Sequence, residues 1–127
     1  MEQIPFVSKI PADALPMLYK ISQAVGVDPL GSAESEDYFY RLLTDYQGQA
    51  ADIVAYLQKQ IKKDFISLCD TPQWLQSSDW QFHHGKPMCF VGQIETSVNR
   101  DGHRYSLMFY VFWDITDGVT KTIMQSD

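Results

Sequence analysis

Ser106-Leu107-Met108-Phe109-Tyr110-Val111-Phe112-Trp113 is the stretch whose reading decides the fold. Its apolar side chains stand at both parities, and alternate residues of a strand point to opposite faces, so the run reads as a central strand that needs cover on both. Either Met108, Tyr110 and Phe112 or Leu107, Phe109, Val111 and Trp113 lie under helices. The other set lines a curved interior, a concave groove or an interface. Period-two patterning extends outward over residues 79–84, 88–98, 104–114 and 119–125, joined by His84-Gly85-Lys86-Pro87, Asn99-Arg100-Asp101-Gly102 and Ile115-Thr116-Asp117-Gly118. Two of these joints hold Asp-Gly, which supplies the positive φ that tight hairpin turns require. A four-stranded antiparallel meander is expected, with Met88, Phe90, Ile94 and Val98 on one face of the second strand and Gln93, Glu95 and Ser97 on its solvated face.

Upstream of Pro72 the period is helical. Residues 1–10, with Pro5 and Pro11, form an extended lead-in. Leu15, Leu18, Tyr19, Ser22 and Val25 then mark a first helix, with Pro16 confined to its first turn and Gly26 as the left-handed C-terminal cap. Ser32 caps a second helix that starts with Glu34, Glu36 and Asp37, buries Tyr38, Phe39, Leu42, Leu43 and Tyr46, and closes at Gly48. The third helix is expected over 49–68, with Ile53, Val54, Leu57, Ile61, Phe65 and Leu68 on one face. Three helices followed by a meander make a single α+β domain, with the helices layered on one face of the sheet.

The 127 residues suffice for one core without staples. A net charge of −6, from 16 Asp and Glu against 10 Lys and Arg, argues against nucleic acid, because the lysines at 59, 62 and 63 sit where they satisfy a helix dipole. Cys69 and Cys89 fit no zinc or redox spacing and read as buried free thiols. No basic leader and no long apolar run stand in the sequence, so a cytoplasmic protein without a membrane span is expected.

Catalytic patterns are missing: there is no Gly-x-Ser-x-Gly, no phosphate loop and no dinucleotide fingerprint. His83 and His84 are neighbours on a strand and so are expected to face opposite ways, unable to hold one ion together. Neither a metal nor another cofactor is expected. A thiol at Cys89, between Met88 and Phe90, would be made inert by burial. Asp114 follows Trp113 and admits two readings: a general base with a raised pKa against aromatic walls, or a turn residue accepting backbone N–H groups.

Pro72-Gln73-Trp74-Leu75-Gln76, Asp79-Trp80, the run from Gly85 to Ile94, and Tyr110-Val111-Phe112-Trp113-Asp114 together resemble the YwqG-like family of bacterial proteins over residues 72–125. The chain lacks the Gly-Gly pair that precedes the Pro-x-Trp segment in that family and is much shorter than its typical members. The resemblance implies a sheet scaffold and no catalytic set. Trp74 and Trp80 are expected to clamp the sheet, while Gln76 and Gln93 bond to backbone.

A small acidic protein-binding module follows as the first expectation, an inhibitor of the immunity or antitoxin kind that meets a protein partner, a basic one by charge. Asp28, Glu34, Glu36, Asp37, Asp45 and Asp52 are its candidate binding residues. The alternative is a small-molecule-binding protein or enzyme, with Asp114, His103, Tyr105 and Tyr110 around an aromatic pocket in a cone-shaped α+β fold. A homodimer that covers the spare sheet face is the third.

Overall fold

The computed structural model describes residues 8–127. The lead-in expected over 1–10 therefore lies outside it for its first seven residues. Helices α1 (Leu15–Gln23), α2 (Ala33–Thr44) and α3 (Ile53–Asp64) precede strands β1 (Phe82–His83), β2 (Lys86–Pro87), β3 (Cys89–Arg100), β4 (His103–Trp113) and β5 (Thr120–Ser126). The class is α+β, as the patterning implied. The sheet is smaller than the four strands expected: β3, β4 and β5 form one antiparallel meander, and β1 pairs only with β2. The edge of β3 at Phe90 is already taken by residues 66–68. There Ser67 bridges Phe90 in parallel, the Phe90 N–H reaches the Ile66 carbonyl at 2.8 Å, and the Leu68 N–H reaches the Phe90 carbonyl at 2.9 Å.

That pairing also shortens the third helix. It begins as a 3-10 turn over Ala50–Asp52 and ends at Asp64. Phe65 turns into the core while Leu68 and Val54, expected on the buried stripe, are exposed, as is Ile66. The second helix likewise ends at Thr44, short of Gly48. Local chemistry elsewhere works as read. Ser32 accepts the Ser35 N–H at 3.0 Å. Gly26, at φ +82°, sits in a full Schellman closure: its N–H meets the Gln23 carbonyl, and the N–H of buried Val27 meets Ser22.

A β-bulge between Phe90 and Gly92 changes the parity of β3. Phe90 faces the core, yet Ile94 and Val98, expected to share its face, point the other way, and Gln93 turns inward with Tyr110 as its cross-strand partner. On β4, Met108, Tyr110 and Phe112 form the buried set.

Between helices and sheet runs a strap of residues 72–82. Trp80 bridges the two layers, with its ring 5.1 Å from Phe65 on one side and 5.5 Å from Phe112 on the other, and its indole N–H donates to the Met88 carbonyl. Trp74 lies over Tyr110 at 4.7 Å and donates to the Gly26 carbonyl. The glutamines act on backbone as expected: Gln76 Nε2 donates to the Ser126 carbonyl, and Gln93 Oε1 accepts the Gln73 N–H. Tyr110, fully buried, accepts the Leu75 N–H at 2.9 Å and donates to the Gln73 carbonyl at 2.8 Å. Gln125 completes the seam by accepting the Gln76 N–H and donating to the Ser77 carbonyl.

Two outcomes test this packing. Tyr110→Phe removes the bonding partner of the half-buried Leu75 N–H and of the Gln73 carbonyl and should cost about 1 kcal/mol in urea unfolding. Ser22 is fully buried in α1, and its hydroxyl has no partner among the described residues. Ser22→Ala removes that unpaired group and improves helix propensity, so the same titration should show a gain of roughly 0.5–1 kcal/mol.

Candidate functional site

The hairpin β1–β2 turns through two residues, His84 at φ +51° and Gly85 at φ +74°. Positive φ at both central positions is the signature of a type I′ turn, which matches strand twist. It changes the geometry of the two histidines. The strand alternation that would send them apart stops at His83, and the left-handed His84 swings its ring back until the centroids stand 4.0 Å apart. The expectation that they cannot serve one site together is corrected for this reason.

Both rings meet the turn between β4 and β5. His83 Nε2 lies 3.0 Å from Asp117 Oδ2 and 3.9 Å from Asp114 Oδ2, and His84 Nε2 lies 3.8 Å from Asp117 Oδ2. That turn is closed by backbone: the Gly118 N–H reaches the Asp114 carbonyl, and the Asp114 N–H reaches the Val119 carbonyl. Asp114 Oδ1 accepts the N–H groups of Thr116 and Asp117. The hairpin is pinned on its far side, since Arg41 of α2 donates to the Gly85 carbonyl at 2.8 Å and Lys121 of β5 donates to the Phe82 carbonyl at 2.6 Å. Beside the cluster opens a cleft of about 310 Å³ with Asp64, Lys86, Cys89 and Trp113 in its walls.

Asp114 thus takes the turn role. The backbone N–H of Asp117 holds its carboxyl below the ordinary carboxylate range, helped by Thr116 and opposed by desolvation, the reverse of the shift a general base needs. The remaining members of the expected pocket are dispersed. His103 and Tyr105 are exposed at the start of β4, ten residues of strand or roughly 30 Å from Asp114, and Tyr110 is sealed beneath the strap. Cys89 is buried, and burial pushes its thiol up; Cys69, expected to be buried, is exposed.

Three of the six acids of the acidic region, Asp28, Glu36 and Asp37, bond to neighbouring groups through their side chains. Asp28 Oδ1 accepts the Leu30 N–H, and its carbonyl accepts the Ser35 hydroxyl. Glu36 accepts the Lys9 N–H, and Asp37 pairs with Lys9 Nζ at 2.6 Å. Asp45 and Asp52 stand at the C-terminal cap of α2 and the N-terminal cap of α3, and Glu34 lies exposed in the first turn of α2.

The other large feature is the outer face of the sheet, the spare face expected from Leu107, Phe109 and Val111, which Ile94 and Val98 of β3 join against expectation. The register places Ile94, Thr96 and Val98 beside Phe109, Leu107 and Tyr105, with Met124 and Thr122 beside Phe109 and Val111. Ile94 is 66% exposed, Met124 54%, Val98 43% and Tyr105 40%. From Gly92 to Val98, and on the neighbouring strands, this face carries no charged side chain. The signal was present in the sequence, but the bulge reversed its sense.

Among the described residues no helix is long and apolar enough to cross a membrane. No family model matches the chain, and neither a curated protein nor a solved structure does.

The lowered Asp114 pKa sets a sign for acid behaviour. Its carboxylate stabilises the fold fully above the ordinary carboxylate range, and that contribution is lost as pH falls through the depressed folded value. Asp114→Ala should therefore lie below the wild type in stability at neutral pH, with the gap closing as acid protonates the carboxyl, measured by thermal melts across an acid series.

Proposed function

We propose that the chain is a protein-docking module that works through the outer face of its three-stranded sheet, and that the occupant of this face is a second copy of the chain. One observation carries the reading: in a chain of net charge −6, the broadest exposed β surface holds Ile94, Val98, Tyr105, Phe109 and Met124 and no charge. Strand spacing and rise give that face a plan of roughly 14 Å by 23 Å, or about 320 Å². Contiguous apolar patches of about 300–600 Å² on monomers are often functional.

Self-docking is favoured over a foreign partner by charge. The β3–β4 hairpin tip carries Arg100 and Arg104 with one acid, Asp101, whereas the opposite end of the sheet carries Asp114 and Asp117. A two-fold axis in the plane of the face and perpendicular to the strands would lay each basic tip over the other copy's acidic turn. The uncharged faces would then meet as stacked sheets, about 10 Å apart. An acidic inhibitor of the immunity or antitoxin kind is a narrower version of protein binding and would use α2. It gains less support, because Glu36 and Asp37 are engaged by Lys9. The YwqG-like resemblance over 72–125 agrees with a binding scaffold and specifies no partner.

Sedimentation velocity of the full chain over a range of concentrations tests the reading. The wild type should show a concentration-dependent dimer, weakened about tenfold or more by Ile94→Lys, a position exposed enough to accept lysine without unfolding. Arg100→Glu should weaken it as well. A wild type that stays monomeric throughout, or an Ile94→Lys variant that dimerises normally, overturns self-docking.

A further inference from the structure

The geometry points to a metal site, formed by His83, His84 and Asp117, for a divalent cation of the zinc class. Each of these residues offers one ligand atom, and the three atoms lie within 4.8 Å of one another. Two of the separations are already 3.0 Å and 3.8 Å. Ligand atoms around a tetrahedral ion, with bonds of about 2.0–2.1 Å, stand roughly 3.3–3.4 Å apart. Closing the triangle requires movements of under an ångström on the measured sides, well within the freedom of the exposed His84 and Asp117 side chains.

Three further features separate this cluster from a chance meeting of surface groups. The donor set is two imidazoles and a carboxylate, which suits borderline divalent ions and leaves at least one position open. The framework is held from two directions by the Arg41 and Lys121 bonds to the hairpin backbone. The cleft lining supplies two further carboxylates, Asp64 and Asp114, against one lysine, Lys86, while Arg41 and Lys121 are engaged by the hairpin backbone. Asp114 Oδ2, at 3.9 Å from His83 Nε2, stands near enough to serve as a fourth ligand. A bound ion would tie the β1–β2 hairpin to the β4–β5 turn, two segments far apart in sequence, with its open position facing the cleft.

The inference does not rest on docking through the sheet face, although it shares Asp117 with the acidic end of that face, and it is tested on the full chain with zinc chloride alone. Calorimetric titration at near-neutral pH should show one zinc per chain. His84→Asn is the decisive variant, because asparagine accepts the left-handed turn position and so keeps the hairpin. It should weaken binding by about tenfold or more, as should Asp117→Asn, while His103→Ala leaves binding unchanged. Saturating zinc should raise the melting temperature of the wild type by about 5 °C or more and leave that of His84→Asn nearly unmoved. Cobalt(II) should give the visible absorption of a tetrahedral or five-coordinate ion, lost in the same variant. No uptake at millimolar zinc, or uptake that survives His84→Asn with its affinity intact, overturns the site.

Discussion

The hydroxyl of Tyr110 is the contact on which the rest of the structure depends. It lies at the centre of the inner sheet face, fully buried, and it takes one backbone donor and one backbone acceptor from the strap, Leu75 N–H and Gln73 carbonyl. A strap without secondary structure, laid along the inner sheet face, would otherwise leave half-buried peptide groups without partners, at a cost of about 1 kcal/mol each. Tyr110 and Gln125 remove that cost for residues 73–77. Once the strap is seated, Trp74 and Trp80 have fixed places, and the helices meet the sheet through them.

One consequence is an asymmetric sheet. The strap and its tryptophans supply all the cover that Met108, Tyr110 and Phe112 need, and α1, α2 and α3 pack on the strap side. Nothing is left in the described chain to cover Leu107, Phe109 and Val111. The β3–β4 ribbon moreover runs on past Gln93 and Met108 with both faces in solvent. A buried face and an uncharged open face are two results of one arrangement, and the second is the observation on which the docking proposal rests.

What could be read from the sequence follows from range. Ser32, Gly26 and the Asp101-Gly102 turn act within a few residues, and each took its expected place. The end of the third helix did not, because Ile66 and Leu68 leave it for partners on Phe90, more than twenty residues away, and no local propensity encodes that competition. The bulge at Val91 was hidden for a related reason: a single extra residue reverses a face while leaving the composition of the strand untouched. The roles of Trp74, Trp80 and Gln76 along the strap were legible from their pattern, and so was the backbone bond of Gln93, though not its inward face. The pocket of Asp114, His103 and Tyr105 was not real, since strand length sets those groups at opposite ends of β4.

The histidine pair shows how one backbone angle decides chemistry. The rule that neighbouring strand residues diverge holds only while the strand lasts, and here the strand ends at His83. Gly85 makes the tight turn possible, the turn demands positive φ at His84, and positive φ returns the second ring to the first. The same turn delivers its Gly85 carbonyl to Arg41, so the angle that gathers the ligands also anchors them. Asp117 comes from the one expected Asp-Gly joint that closes through a longer loop, where Asp114 spends its Oδ1 on backbone and turns Oδ2 towards His83. Two turns chosen by glycine placement thereby bring together imidazole and carboxylate groups that lie 34 residues apart in the chain. The proposed cation site and the acidic end of the proposed docking face share Asp117, so a bound ion would offset part of the negative charge that the basic hairpin tip of a second copy would meet.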